Sequence, residues 1–319
     1  MPDAAPSPQA GQAGTRGLSW PELRTTDPGG TVTEGDRGLV LVGLDDTSYS
    51  WLAADWAAAE AQMRGCALRV VHAVGRGAER AYGETGVGLT EQVLQGALGV
   101  LDDARARLEA AHPGVPIEGT LARDDPADAL LTAAEDADMI VVGTRGRGGF
   151  AGLLLGSVSL KVAAHADAPV VVVRGETGKA AGGGVVVGVR DDRDEEAVRF
   201  ALAEADLRQA DVRLVHAWTP LAHTGLVVPQ VSHLEEERDA HARLLNHAAR
   251  PVAEYPTVHV DSELIVGSPA GALVEASARA GMVVLPRHPV EGRFGQRLGA
   301  VVHAVLHHAV CPVAVVPAG

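Results

Sequence analysis

Residues 139–173 read MIVVGTRGRGGFAGLLLGSVSLKVAAHADAPVVVV. The stretch begins with a short apolar run over residues 139–143 and passes through a glycine-rich loop into a helical segment over residues 157–166. It ends in a second apolar run over residues 169–174. Short apolar runs that alternate with longer amphipathic segments are typical of buried parallel strands joined by helices. The stretch therefore predicts a strand–loop–helix–strand unit of an α/β fold.

The same alternation extends toward the amino terminus as far as residue 39. Apolar runs predict further strands over residues 39–44, 67–74 and 115–121. Amphipathic segments predict helices over residues 50–64, 90–111 and 126–136. Together with residues 139–174 this makes a unit of five strands with helices between them, which is typical of a doubly wound sheet.

The same order of elements then occurs a second time. Residues 185–189 (VVVGV) match 39–43 (LVLVG), residues 213–217 (RLVHA) match 69–73 (RVVHA), and residues 311–316 (CPVAVV) match 168–173 (APVVVV). The repeat predicts two similar domains, over residues 37–175 and 185–319, which we expect to pair about a pseudo-two-fold axis. Residues 176–184 are predicted to be a flexible, glycine-rich linker, and residues 1–36 a disordered tail.

The composition limits the class of protein. The chain has 319 residues, 46% of them hydrophobic, which is enough for two cores, and its net charge of −14 disfavours a nucleic-acid partner. Cys66 and Cys311 lie in apolar runs and are predicted to be buried thiols in a reducing compartment. We recognise neither a signal peptide nor a membrane span, so we expect a soluble cytoplasmic protein without a membrane partner.

The glycine-rich loop carries the pattern that indicates a chemical role. Gly143, Gly146 and Gly156 follow the spacing G-x2-G-x9-G-S, and glycine lets main chain approach an anion without a Cβ in the way. Gly156 and Ser157 open a helix whose free N–H groups attract phosphate, and Ser157 and Ser159 add hydroxyl donors. The pattern predicts phosphate binding, although a G-x-x-G element alone is equally consistent with a plain strand-to-helix connection.

Two arginines, Arg145 and Arg147, place positive charge on the same loop. Planar guanidinium groups can bind phosphate oxygens, but a single arginine on a loop is more often a solvated surface charge. Both interpretations stay open at this stage.

The full spacing of this loop resembles the ATP-binding signature of the universal stress protein family, and the similarity covers roughly residues 38–319. The resemblance implies two tandem Rossmann-like domains of the adenine nucleotide alpha hydrolase type. Each would be a five-stranded parallel sheet of order 3-2-1-4-5 flanked by helices, with pairing through the last strand. The resemblance also implies ATP or a related adenine nucleotide, with or without Mg²⁺, as the ligand of the first domain.

The family's site residues are carried over position by position. Asp45 resembles the nucleotide-contacting aspartate after the first strand, and Ala73 stands where a main-chain contact to adenine is made. The phosphate and ribose segment corresponds to Gly143, Thr144, Arg145, Gly146, Arg147, Gly156, Ser157, Val158 and Ser159. All of these lie at the carboxyl ends of strands or in the loops that follow, where open parallel sheets bind ligands.

The second domain departs from this pattern. Aligning the repeats gives Pro286 for Gly143, Pro289 for Gly146, Ala300 for Ser157 and Arg190 for Asp45. Proline has no N–H and a fixed φ, so this loop offers fewer main-chain donors to a phosphate. We expect one nucleotide per chain, in the first domain, with the second domain as its structural or regulatory partner.

The charged residues of the second loop leave two interpretations open. They are Arg287, His288, Arg293 and Arg297. They are consistent either with ordinary surface charge or with a site for a different anion.

Histidines and catalytic groups give weaker signals. His303 and His307 share a helix face that can hold a metal, but helix-surface histidines are the favoured interpretation, and no metal site is predicted. His72 and His216 occupy equivalent strand ends, which favours a shared structural role. For hydrolysis, the pattern supplies no P-loop, paired metal-binding acids or water-activating residue.

The leading functional interpretation is a nucleotide-responsive stress or regulatory protein. A weak ATPase or autophosphorylating enzyme is one alternative, and a non-binding dimeric scaffold is the other. Pairing of separate chains into a homodimer is left open, because the edges at residues 169–174 and 312–317 can instead pair within one chain.

Overall fold

The computed structural model describes residues 18–19, 38–75, 87–146, 154–174, 183–220, 231–288 and 298–318. The strands of the amino-terminal half are β1 (Leu18–Ser19), β2 (Leu39–Gly43), β3 (Ala67–Ala73), β4 (Ile117–Ala122), β5 (Met139–Gly143) and β6 (Val170–Val173). The helices are α1 (Ser48–Arg64), α2 (Val87–Ala111), α3 (Pro126–Ala133) and α4 (Ser157–His165). We call β2–β6 with these helices lobe 1.

The carboxy-terminal half, lobe 2, repeats this order. Its strands are β7 (Val185–Gly188), β8 (Val212–Trp218), β9 (Val260–Val266), β10 (Met282–Arg287) and β11 (Val313–Pro317). Its α-helices are α5 (Glu195–Arg208), α6 (Val231–Ala248), α7 (Pro269–Ser277) and α8 (Ala300–His308), and a 3₁₀ helix spans Arg250–Glu254.

All strands belong to one sheet of order β1-β4-β3-β2-β5-β6-β11-β10-β7-β8-β9. Each lobe contributes five parallel strands, and in both lobes they lie in the order 3-2-1-4-5 that the family resemblance implies. The last strands of the lobes, β6 and β11, pair antiparallel, with Val171 opposite Ala314. The edges at residues 169–174 and 312–317 therefore pair with each other inside the chain.

The sheet buries side chains on both faces, as a parallel sheet with helices on each side requires. Val40 and Val42 belong to one apolar cluster, which includes the buried alanines of α1, whereas Leu41 belongs to the cluster on the other face. Both clusters contain residues of lobe 1 and lobe 2, so the apolar core continues across the lobe boundary.

Four charged side chains connect α1 and α5 across the pseudo-two-fold axis. Glu60 and Glu204 are fully buried, and each pairs with both Arg64 and Arg208. Exchanging Glu60 with Glu204 and Arg64 with Arg208 reproduces the same contacts, as at the interface of a symmetric dimer. We call these residues the interlobe charge cluster. Burial and the charge of Glu60 raise the pKa of Glu204 to about 7 despite the two arginines.

A second set of contacts joins the lobes through helix ends. Arg174, which follows β6, donates to the carbonyl oxygens of Leu306 and Ala309 at the end of α8. Arg287 of β10 donates to Ala163 O near the end of α4, at 3.2 Å. A cation at a helix carboxy-terminus is favourable because of the helix dipole.

The bounds agree with the predicted ones to within three residues. The largest differences are the earlier start of α2, at Val87, and the earlier end of α3, at Ala133. Ala134 N donates to Leu131 O, a tighter three-residue turn that ends the α-helical pattern of α3.

Two residues of the predicted tail are described. They form β1, in which Leu18 and Ser19 pair antiparallel with Leu121 and Thr120. None of the helices in the described part of the chain has the length and apolar content needed to span a bilayer.

Candidate functional site

The candidate site lies at the carboxyl edge of lobe 1, where β2 leads into α1. Ser50 Oγ accepts hydrogen bonds from the N–H groups of Asp45 and Thr47, both at 3.2 Å. Thr47 is the N-cap of α1, and its hydroxyl donates to Asp45 Oδ1 at 2.7 Å. These bonds fix the Asp45 carboxylate beside the amino-terminus of α1.

Asp45 faces the first part of the glycine-rich loop. A Cβ added to Gly146 would lie 2.4 Å from Asp45 Oδ2, so the missing side chain of Gly146 makes room for this carboxylate. The predicted nucleotide-contacting aspartate and the second glycine of the motif are thus neighbours, although 101 positions separate them in the numbering.

Gly143, at the end of β5, is packed against the start of α1. A Cβ at this position would lie 2.6 Å from Tyr49 O and 2.8 Å from its carbonyl carbon. Ser159 is buried, and its hydroxyl donates to Gly143 O at 2.7 Å. This hydrogen bond connects the end of β5 to the first turn of α4.

The loop returns to the strand end at Gly156. Gly156 N donates to Thr144 O at 2.7 Å, and Thr144 is buried. Gly156 is the N-cap of α4, with Ser157 exposed and Val158 half-buried in its first turn. The first N–H groups of a helix have no intrahelical acceptor, so this turn presents donors at the site.

The two arginines of the motif differ in what the structure describes. The Arg145 guanidinium lies over the Tyr49 ring, 5.3 Å from the ring centroid. Its Nε is buried and has no hydrogen-bond partner among the described residues. Arg147 lies outside the described residues.

The adjacent strand, β3, ends at the same edge. Ala73 is its last residue and is half-buried, and the preceding His72 is buried with Nδ1 2.7 Å from Leu44 O. In lobe 2, His216 Nδ1 lies 2.8 Å from Val189 O. The predicted structural role shared by these two histidines is confirmed.

Lobe 2 has the same framework but different groups at this edge. Asp194 Oδ2 accepts from Arg190 N at 2.5 Å and Asp191 N at 3.0 Å, as Ser50 Oγ does in lobe 1. Arg190 therefore stands at the place of Asp45, as the alignment predicts. Pro286 and Ala300 line a cavity of about 350 Å³ here, and Pro289, Arg293 and Arg297 lie outside the described residues.

His288 points into this edge of lobe 2. Its Nε2 lies 2.7 Å from Asp194 Oδ1, and one ligand atom from each of Asp191, Asp194 and His288 lies within 4.8 Å of the others. We call these three residues the Asp–Asp–His cluster. His288 faces Asp194, and Arg287 donates to the end of α4. Neither side chain is therefore available to the anion site that was left open as an interpretation of the second loop.

The acids of this cluster have shifted pKa values. Burial raises the pKa of Asp194, although hydrogen bonds from the N–H groups of Asp191 and Arg190 act against the shift. The pKa of Asp191 is lowered, because burial is outweighed by hydrogen bonds from Arg193.

Comparison with known proteins agrees with the architecture. The sequence model of the universal stress protein family matches residues 38–174 and again residues 184–317, one match per lobe. The chain belongs to the universal stress protein family. The double match confirms the tandem organisation that the sequence repeat predicts.

Relatives of this universal stress protein share nearly its whole length. Universal stress protein Rv2005c of Mycobacterium tuberculosis (strain H37Rv) is 32% identical over 285 residues, covering 86% of this chain and 96% of that protein. Universal stress protein Rv1996 of the same strain is 30% identical over 297 residues, covering 86% and 94%. A universal stress protein structure from Archaeoglobus fulgidus DSM 4304 has a TM-score of 0.66 at 17% identity, covering 88% and 98%, and supports the fold.

At this edge of lobe 2, the sequence of this universal stress protein did not predict the contact between Asp194 and His288. The signal is a loop that is one residue shorter in lobe 2, between Gly188 and Asp194, than in lobe 1, between Gly43 and Ser50. Aligning the helices as well as the strands places Asp194 on Ser50.

Proposed function

We propose that lobe 1 of this universal stress protein binds ATP or a related adenine nucleotide. Occupancy of the site would then make the protein a nucleotide-responsive stress or regulatory factor of the cytoplasm. The observation that carries the proposal is the fit between Asp45 and Gly146, where the absence of one side chain makes room for the carboxylate.

The residues present suit a phosphate-bearing ligand. Gly156 begins α4 beside the end of β5, and the first turn of α4 offers main-chain N–H groups together with the exposed Ser157 hydroxyl. Arg145 adds a guanidinium whose buried Nε has no protein acceptor among the described residues. A phosphate oxygen would supply acceptors for these donors.

Two further residues suit the nucleoside part. Asp45 can accept hydrogen bonds from ribose hydroxyls, since its Oδ1 is already oriented by Thr47. Ala73 lies at the end of β3, on the same edge of the sheet, where its main chain would meet an adenine ring.

Lobe 2 is proposed not to bind nucleotide in this way. Arg190 replaces the carboxylate of Asp45, Ala300 lacks the hydroxyl of Ser157, and the His288 side chain lies against Asp194. We therefore expect one nucleotide per chain.

The enzyme and scaffold alternatives gain no specific support from the described residues. A nucleotide-responsive role requires the site to differ between the free and bound states, because a ligand shifts only an equilibrium between states for which its affinities differ.

The test is calorimetric titration of the full chain with ATP, ADP and AMP, each with and without Mg²⁺. We expect saturable binding of one equivalent per chain. Mass spectrometry of gently purified protein should also recover an adenine nucleotide. Absence of binding, or two equivalents with similar affinity, would contradict the proposal. Phosphate release during the titration would instead favour the weak ATPase.

A further inference from the structure

The Asp–Asp–His cluster lies in lobe 2, apart from the proposed nucleotide site. Asp191 follows β7, Asp194 is the N-cap of α5, and His288 follows β10. The three side chains thus come from the carboxyl ends of two adjacent strands, β7 and β10.

Asp194 is held in one orientation by main chain. Its Oδ2 accepts from the N–H groups of Arg190 and Asp191, and the residue is only 1% exposed. With Oδ2 engaged, the carboxylate presents Oδ1 to the interior of the cluster.

Two buried atoms of the cluster lack good hydrogen bonds. Asp194 Oδ1 and His288 Nε2 lie 2.7 Å apart, but their mutual geometry is poor, and neither has another hydrogen-bond partner among the described residues. His288 is 9% exposed. Buried polar atoms are nearly always satisfied, so these two atoms indicate a bound ligand that both of them contact.

We propose that the Asp–Asp–His cluster is a Zn²⁺ site. Imidazole nitrogen and carboxylate oxygen both bind Zn²⁺ at about 2.0–2.2 Å, which places atoms bound to one tetrahedral ion about 3.3–3.6 Å from each other. The ligand atoms here lie within 4.8 Å of one another, and the closest pair, at 2.7 Å, must move apart by under about 1 Å to bind one ion. Mg²⁺ prefers an all-oxygen octahedral set, so an imidazole ligand favours the transition metal.

Three protein ligands leave a coordination position for water or another ligand. His288 also lines the cavity of about 350 Å³ in lobe 2 and a neighbouring cavity of about 650 Å³. A molecule in either cavity could therefore approach the ion.

Two exposed arginines compete with the ion for Asp191, and the more distant is Arg190, whose Nε lies 3.9 Å from Asp191 Oδ2. Arg193 binds Asp191, with Nη2 2.9 Å from Oδ2, and its side chain is 69% exposed. Binding of Zn²⁺ through Asp191 requires this ion pair to loosen, which costs little for an exposed pair.

Lobe 1 provides an internal comparison. At the positions of Asp194 and His288 it has Ser50 and Arg145, so the equivalent edge of lobe 1 cannot supply the same ligands. The expected stoichiometry is therefore one Zn²⁺ per chain.

The test is calorimetric titration of the chelator-treated full chain with Zn²⁺ and, separately, Mg²⁺. We expect one tight Zn²⁺ site and much weaker Mg²⁺ binding. Loss of an outer-shell partner already costs about 10–100-fold in metal affinity, so His288→Gln and Asp194→Asn should each weaken Zn²⁺ binding by about 100-fold or more. The matched control replaces the stacked histidines of α8 in the double variant His303→Gln, His307→Gln, which should retain the site.

A variant that is expected to tighten Zn²⁺ binding distinguishes loss of the site from misfolding of the chain. Arg193→Gln removes the shorter of the two ion pairs of Asp191 and should tighten Zn²⁺ binding about two- to fivefold, the range expected when an exposed ion pair is removed. Three results would overturn the proposal. They are no Zn²⁺ binding, binding that survives His288→Gln but is lost in the α8 double variant, and an Arg193→Gln affinity no higher than that of the natural chain.

The Zn²⁺ proposal is independent of the nucleotide. A Gly146→Ala variant should bind Zn²⁺ as the natural chain does, so failure of one proposal is distinguishable from failure of the other.

Discussion

The carboxylate of Asp45 occupies the space that a side chain on Gly146 would need. A Cβ at Gly146 would come within 2.4 Å of Asp45 Oδ2, which is closer than carbon and oxygen atoms approach without a bond. The contact joins the loop after β2 to the loop after β5. Any ligand that uses Asp45 therefore depends on the residue at position 146.

We predict that Gly146→Ala weakens ATP binding by about tenfold or more. The added methyl group must displace the Asp45 carboxylate from the position that the ligand uses, and a tenfold loss corresponds to about 1.4 kcal/mol. Calorimetric titration measures the change. Gly96→Ala is the matched control, because a Cβ on Gly96 in α2 meets no atom within 4 Å. Equal ATP affinity of the two variants would contradict the role of this contact.

We predict that Ser157→Ala weakens ATP binding by about tenfold. Ala300→Ser, at the equivalent position of lobe 2, should leave the stoichiometry at one nucleotide per chain. A hydrogen bond to a charged group contributes about 1.5–3 kcal/mol, and the Ser157 hydroxyl is exposed at the start of α4. The same titration reports both variants. A second nucleotide bound by the Ala300→Ser variant would show that the hydroxyl alone is what lobe 2 lacks.

Gly143 and Gly96 should respond oppositely to alanine. Gly143→Ala places a Cβ 2.6 Å from Tyr49 O, a main-chain atom that cannot rotate away, and should lower the free energy of unfolding by about 1–3 kcal/mol. Gly96→Ala should raise it by about 0.5–1 kcal/mol, because glycine is unfavourable inside an exposed helix. Denaturant unfolding measures both, and a stabilised Gly143→Ala variant would contradict the packing described.

The interlobe charge cluster should make stability depend on pH. The pKa of Glu204 is about 7 in the folded chain and near 4.5 when unfolded, so between these values the folded state binds more protons. Its contribution is fully present below pH 4.5 and is lost as the pH rises toward 7. Lowering the pH from 7.5 to 5.5 should therefore raise the melting temperature relative to that of Glu204→Gln. An equal change in melting temperature between pH 7.5 and 5.5 in the two proteins would refute this.

Both thiols should be unreactive in the folded chain. Burial raises the pKa of Cys66, and it raises the pKa of Cys311 to about 11, so neither forms a thiolate at neutral pH. Ellman's reagent should detect almost no thiol in the native protein and two per chain in denaturant. Rapid reaction of either cysteine under native conditions would mean that its segment opens readily.

The strands were predictable because their signal is local. β5 has the predicted bounds, since its continuous apolar run lies between Asp138 and Thr144, and the repeat of the pattern predicts the second lobe. The glycine spacing likewise indicates which residues reach the sheet edge. The same spacing does not reveal that the Ser159 hydroxyl donates to Gly143 O, which depends on how α4 lies against β5.

Long-range electrostatics could not be predicted in this way. Glu60 with Arg64 and Glu204 with Arg208 have the four-residue spacing of ordinary exposed helix pairs. These side chains are buried because α1 packs against α5 at the lobe boundary. The sequence pattern of one helix does not show which other helix it packs against.

The antiparallel contact of β6 with β11 joins the two lobes within one chain, and this affects how their clefts can diverge. In an assembly of identical subunits, every change to one binding cleft appears in its copy, and dilution separates the halves. Here a peptide linker keeps the halves together at any concentration, and each cleft is encoded once. The two clefts of one polypeptide can therefore diverge to bind different ligands within the same molecule.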